Sequence, residues 1–174
     1  AGAAAERMMS LEEVAGVAQK ALDNIRTMGV ALSPCIVPQV GEPTFQIEDD
    51  EIEIGMGIHG EKGIEVRKMM TADEVAETLV GRITEDMPLA EGDEVSVMVN
   101  GLGATPMEEQ LIVYRRVHEL LNDMGVKVVM PHVGEYATSM EMAGLSVTIF
   151  KLDGQLKELL LSPAKTPFYT NLNK

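Results

Sequence analysis

His59 closes the stretch Glu51-Ile52-Glu53-Ile54-Gly55-Met56-Gly57-Ile58-His59-Gly60-Glu61 and is the side chain whose surroundings best suit chemistry. A neutral imidazole near pH 7 can serve as base, metal ligand or nucleophile. Side chains alternate faces along a strand. The stretch therefore predicts Ile52, Ile54, Met56 and Ile58 on one apolar face, with Glu51, Glu53, Gly55, Gly57 and His59 on the other. Gly55 and Gly57 would clear an approach to the ring, although interior glycine weakens a strand. Glu61 follows two residues later and can either orient the ring or stand in solvent.

Other reactive groups are sparse. His118 and His132 share no HxxxH spacing with His59 or each other, and the single cysteine, Cys35, cannot build a thiolate site, so no metal site is expected. His118, in a predicted helix, and His132, just after a predicted strand, read as structural or exposed. Glu12, Glu13, Asp73 and Glu74 fall in first helical turns, where they favour the macrodipole. Asn100-Gly101-Leu102-Gly103-Ala104-Thr105-Pro106 joins two glycines to a helix start, an arrangement that can hold phosphate. It lacks a Walker A lysine and the GxGxxG spacing, and strand-to-helix punctuation explains it equally well.

Composition narrows the function classes. The 174 residues suit one domain, or one domain with part of another. Hydrophobic residues reach 45% while aromatics are only 3%, so an aliphatic core with methionine as filler is expected. Net charge −14 repels phosphate backbones and anionic lipid, which argues against nucleic-acid and membrane-surface roles. No apolar run is long enough to span a bilayer, and the alanine-rich start lacks the layout of a signal peptide. One cysteine excludes an internal disulfide and fits a reducing cytoplasm.

The elements that must position these residues follow from caps and periodicity. Ser10 with Glu13 opens a helix carrying Leu11, Val14, Ala15, Ala18, Leu22 and Ile25 on one stripe, with Gly29 as its C-cap. Val30–Leu32 predicts a short strand, and residues 33–43 a linker. Thr44–Ile47 and Glu51–Ile58 predict strands; Ile64–Met70 is ambiguous. Thr71 with Glu74 caps a helix to about Ile83, and Glu94–Val99 alternates as a strand. Thr105, Pro106 and Glu108 predict a third capping box, opening a helix to Met124. Val126–Met130 predicts a strand stopped by Pro131, and Ser139–Ala143 a helical turn. Leu145–Leu152 and Gln155–Leu161 predict a hairpin about Asp153-Gly154. This order gives an α/β fold: a two-layer domain with a mixed, roughly six-stranded sheet covered by helices on one face, preceded by a helix and short strand from a neighbouring domain. The boundary is placed between residues 1–38 and 39–174.

Gly55-Met56-Gly57-Ile58-His59-Gly60-Glu61 resembles the histidine motif of the dihydroxyacetone (glycerone) kinase substrate-binding subunit, the K domain. Met28–Cys35, Asn100–Pro106 and Tyr136-Ala137-Thr138-Ser139-Met140 resemble that family in the same order. The resemblance implies that His59 forms a covalent hemiaminal with the carbonyl carbon of dihydroxyacetone, with Gly57 beside it in the substrate site. It implies that residues 39–174 are the C-terminal two-layer domain of that subunit. The family's preceding half, with its Gly-Gly-Gly-Ser-Gly-His-Glu-Pro motif, has no counterpart in this sequence. The chain is therefore expected to be inactive alone and to need the missing N-terminal half. The resemblance further implies a nucleotide-binding kinase domain or subunit, which brings the phosphoryl donor (ATP or a phosphotransferase-system relay), no cofactor on this chain, and a homodimer. Its rivals are a non-catalytic kinase-like coactivator that binds dihydroxyacetone and a transcription factor, and a fatty-acid-binding protein of related fold, against which the His59 motif speaks.

Overall fold

The computed structural model describes residues 1–36, 38–39, 41–43, 45–58 and 61–172. Two short-range capping signals act as the sequence predicts. Ser10 accepts from the Glu13 backbone while the Glu13 carboxylate accepts from the Ser10 N–H, opening α2 (Leu11–Asp23) after a short α1 (Gly2–Glu6). Thr71 and Glu74 make the same reciprocal pair at the start of α3 (Ala72–Asp86).

Six strands form one mixed sheet in the order β3-β2-β1-β6-β4-β5. They are β1 (Ile25–Ala31), β2 (Glu51–Ile54), β3 (Glu65–Lys68), β4 (Glu94–Gly101), β5 (Lys127–Gly134) and β6 (Gly144–Leu152). Only β4 and β5 pair in parallel, joined through α4 (Met107–Asp123) as a βαβ crossover. Helices α3 and α4 cover one face. Val75, Leu79, Val80 and Ile83 of α3 and Val113, Val117 and Leu121 of α4 meet Val30, Ile52, Ile54, Val95, Val97, Val99, Leu145, Val147 and Ile149 of the sheet. The helices also join each other, through Arg116–Glu77 at 2.6 Å and an Arg115–Asp73 ion pair. Among the described residues, no helix is long and apolar enough to cross a membrane.

Several expectations are corrected. β1 does not belong to a preceding unit: it lies inside the sheet, paired along its length with β6 and at its end with β2. Gly29 is accordingly a strand residue, and the helix ends at Asp23. Residues within the expected linker fold back on the sheet, where the Ser33 hydroxyl accepts from the Ala143 N–H at 2.9 Å. Thr44 lies outside the described residues, and Phe45–Ile47 forms no strand. Pro131 does not stop β5, because β5 is the edge strand, where a missing N–H costs no ladder bond. Ser139–Ala143 is irregular rather than helical.

The Asp153-Gly154 hairpin is absent. Asp153 instead caps α5 (Gly154–Leu160), its carboxylate accepting from the Leu156 N–H at 2.8 Å. Leu156 and Leu159, three apart on that helix, join Ala4, Val17 and Leu152 in a second, smaller cluster. Phe150 and Val129 pack against this cluster from the sheet. Phe150 and Leu152 lie on the face of β6 opposite Leu145, Val147 and Ile149, so α1, α2 and α5 add partial cover to the second face. A two-stranded hairpin, β7 (Ala164–Lys165) with β8 (Thr170–Asn171), completes the described chain.

Candidate functional site

His59 and Gly60 lie outside the described residues; the residues leading to and from them define a cavity on the sheet face away from α3 and α4. The predicted alternation through residue 59 is corrected, since β2 ends at Ile54. Gly55 adopts φ +84, a left-handed conformation that side-chain-bearing residues adopt only under strain, and its N–H donates to the Gly29 carbonyl at 2.7 Å. That turn redirects the chain. Ile52 and Ile54 sit in the main core, whereas Met56 and Ile58 pack in a separate cluster with Ala31, Cys35, Leu102 and Met142. Cys35 is buried and free.

The glycines act by admitting neighbours. A Cβ on Gly29 would lie 2.5 Å from the Met56 carbonyl oxygen, so the segment after β2 rests directly on β1. A Cβ on Gly57 would run into the Glu61 carboxylate, which places that carboxylate against the Gly57 backbone. Glu53, expected on an open face, is buried at 4% exposure, and its carboxylate accepts from the Gly63 N–H at 2.6 Å. Ile64 N–H donates to the Ile54 carbonyl at 2.8 Å. The two legs of the segment that contains His59 in sequence are thus tied together at their base.

Next to this segment is a cavity of about 350 Å³, whose lining includes Thr27, Gly29, Gly57, Ile58, Leu102 and Ser146. On the same sheet face, Asn100 is buried and makes three side-chain hydrogen bonds. Its amide oxygen accepts from the Tyr136 and Ala137 N–H groups at 2.8 and 2.9 Å, and its amide nitrogen donates to the Ala137 carbonyl at 2.6 Å. Asn100 thereby fastens the Tyr136–Met140 segment to the end of β4.

The other candidates take structural parts. Thr105 forms no helix cap: its hydroxyl donates to the Gly144 carbonyl at 2.7 Å and accepts from the Gly144 N–H at 2.8 Å, so Pro106 is the N-cap and has no side-chain bond. The α4 N-terminus faces Glu135 across a cavity and carries Glu108 and Glu109 in its first turn, an acidic setting that disfavours phosphate. His118 is exposed on α4, near the Tyr114 ring. His132 on β5 is half-buried against Tyr136 and Tyr169, with its Nε2 2.9 Å from the Tyr169 hydroxyl, and burial holds its pKa below the ordinary value. Among the described residues, no three of His, Cys, Asp and Glu are grouped to hold a metal ion.

Residues 1–168 match the Dak1 domain family. The chain belongs to that family. This Dak1 chain is 50% identical over 166 residues to the PTS-dependent dihydroxyacetone kinase 1, dihydroxyacetone-binding subunit DhaK, of Listeria innocua, covering 95% of itself and 50% of that subunit. It spans about half the length of the first curated relatives it matches. Among solved structures, the dihydroxyacetone kinase of C. freundii superposes with a TM-score of 0.84 at 29% identity, over 97% of this chain and 30% of that one. A dihydroxyacetone kinase operon co-activator, DhaQ, gives 0.81 at 31% identity, over 88% and 48%.

Sequence reasoning placed Asn100 in a possible phosphate loop and Glu53 on the His59 face without foreseeing the bonds each makes, and it did not single out Ser146. Their one sequence signal was polarity at the off-beat positions of apolar strands.

Proposed function

We propose that this chain is the C-terminal portion of a dihydroxyacetone-binding kinase subunit and that His59 holds the ketone as a hemiaminal. The observation that carries this reading is the histidine motif within a chain half-identical to a dihydroxyacetone-binding subunit. In the step proposed, an imidazole nitrogen lone pair forms a bond to the carbonyl carbon. The C=O π pair moves to oxygen, which takes up a proton as the ring releases its own from the other nitrogen. No atom is lost. Glycerol has no carbonyl and forms no such bond, so the adduct selects ketone over polyol. It also holds the hydroxymethyl group for attack on a phosphoryl donor, the positioning contribution to catalysis.

Gly57 belongs to the substrate site on this reading, with its close neighbour Glu61 at the edge. The donor, ATP or a phosphotransferase relay, sits on another domain or subunit. The remaining wall of the pocket comes from the part of the subunit's length that this chain does not span, and the assembled subunit is a homodimer. Residues 1–174 alone would give no turnover.

The DhaQ likeness supports a second reading, a ligand-sensing coactivator that keeps the ketone site without phosphoryl transfer. Reconstituting the full-length protein with a nucleotide-binding subunit and donor separates the two. Formation of dihydroxyacetone phosphate is the expected result; ketone binding without any phosphorylation would favour the coactivator.

A further inference from the structure

Gln110 heads the buried stripe of α4 that continues through Val113, Val117 and Leu121, yet it is the polar member of that stripe, at 1% exposure. Packing alone would favour an aliphatic side chain there. Its amide nitrogen donates to the Thr105 carbonyl at 2.8 Å, which fixes the amide, because a flipped group would set two carbonyl oxygens against each other. The amide oxygen, Oε1, is then the one buried side-chain polar atom without a hydrogen-bond partner among the described residues. An amide oxygen only accepts, and leaving it unpaired away from water is unfavourable. The Gln110 side chain lines a cavity of about 470 Å³ at the α4 N-terminus, whose walls include Gly103, Ala104, Pro106, Met107 and Glu135. Gly101 brings the two polar side chains together. A Cβ there would run into the Gln110 amide nitrogen and lie 3.2 Å from the Glu135 Cγ, so both side chains rest against the same bare backbone.

We propose that this cavity binds a single ammonium or guanidinium group, whose N–H donors pair with the Gln110 Oε1 and the Glu135 carboxylate. The ligand must donate, since an amide oxygen and a carboxylate both only accept. Charge selects a cation. Glu135 lines the cavity, Glu108 and Glu109 stand in the adjoining first turn, and no lysine, arginine or histidine lines it among the described residues. The same two first-turn glutamates offset the positive end of the helix dipole, which would otherwise oppose a cation. A metal ion fits poorly, because one carboxylate and one amide oxygen leave most of its coordination positions unfilled. Met107, 46% exposed, supplies an apolar wall for the methylene stem that carries the charged head. Met107 and Glu135 are also the flexible side chains of the wall, and their movement admits the donor to an oxygen otherwise shut off from water. The cavity shares no lining residue with the one beside the His59 segment, so the proposal stands apart from the ketone reading.

The test is an NMR titration of the isotope-labelled full-length protein, read at the backbone amides of Ala104 and Met107. The probes are n-butylammonium chloride, Nα-acetyl-arginine methylamide, and tetramethylammonium chloride, which carries the charge without an N–H. Saturable shifts at both amides are expected with n-butylammonium and not with tetramethylammonium. Binding of the blocked arginine as well would assign the site to a basic side chain of a partner protein, and its exclusion would assign it to a free amine. Gln110→Met, which nearly keeps the volume, is expected to weaken binding roughly tenfold or more. Gln110→Glu keeps an acceptor and is expected to bind at least as tightly as wild type. The thermal midpoint checks folding, and if Gln110→Met does not fold, the comparison with tetramethylammonium in wild type decides. No saturable shift with either N–H cation, an equal response to tetramethylammonium, or unchanged affinity in folded Gln110→Met would overturn the proposal.

Discussion

At Gly57 a Cβ would meet the end of a flexible glutamate, while at Gly29 it would meet a backbone carbonyl, and the two positions should respond differently to alanine. Gly57→Ala is expected to cost less than Gly29→Ala, because the atoms in the way belong to a side chain and not to the backbone. Gly29→Ala should cost about 1–3 kcal/mol, since a backbone segment must move. Paired urea titrations check this, and equal midpoints for the two variants would contradict the packing described. Asn100→Ala strands two N–H groups and a carbonyl at once, so a loss of about 2–4 kcal/mol is expected. Protection of the Tyr136 and Ala137 amides against hydrogen exchange should fall with it. In the sequence Asn100 stood out only as the start of a glycine loop, not as the residue that holds Tyr136 and Ala137. Alternation in Glu94–Val99 predicts a polar second face, but which polar group is consumed and which is free depends on partners 36 or more residues away.

The elements legible in the sequence are those whose determinants are local. The Ser10/Glu13 and Thr71/Glu74 boxes need only three residues of separation, and both form. The Thr105 hydroxyl was legible as a cap and is instead held by Gly144, 39 residues on. Asp153-Gly154 suits a hairpin or an N-cap equally; burial of Leu156 and Leu159 on one helical face decides for the helix. Pro131 could be placed only once β5 was known to be the edge. The β5 edge also carries a pH dependence. Burial depresses the His132 pKa, so the folded protein favours the neutral ring, whose Nε2 can accept from the Tyr169 hydroxyl. As pH falls below about 6.5 the unfolded chain takes up this proton first, and stability is lost down through the depressed folded value. Without tryptophan, tyrosine emission in a Tyr114→Phe background reports on this corner through Tyr136 and Tyr169. The expectation is loosening of Ala164–Asn171 between neutral pH and pH 5, absent in His132→Asn; identical profiles would contradict it.

For the whole molecule, one aliphatic core under α3 and α4 leaves the opposite sheet face only partly covered, with polar and glycine positions where the candidate cavity opens. The mixed sheet and its main helix layer follow from the order of amphipathic segments. The membership of β1 does not, because proline-rich residues 33–43 resemble a boundary in sequence while Leu32 and Ser33 bond back to Ala143 in space. The chain spans about half of the curated subunits it matches, so a completed pocket is a property of the full-length protein. The central claim is a covalent ketone on His59, and native intact-mass measurement of the full-length protein with dihydroxyacetone tests it most directly. A hemiaminal predicts a gain of one dihydroxyacetone without loss of water that survives collisional activation strong enough to strip non-covalent ligands, present in wild type and absent in His59→Ala. No adduct at concentrations where calorimetry shows binding, or an unchanged adduct in His59→Ala, would contradict the account.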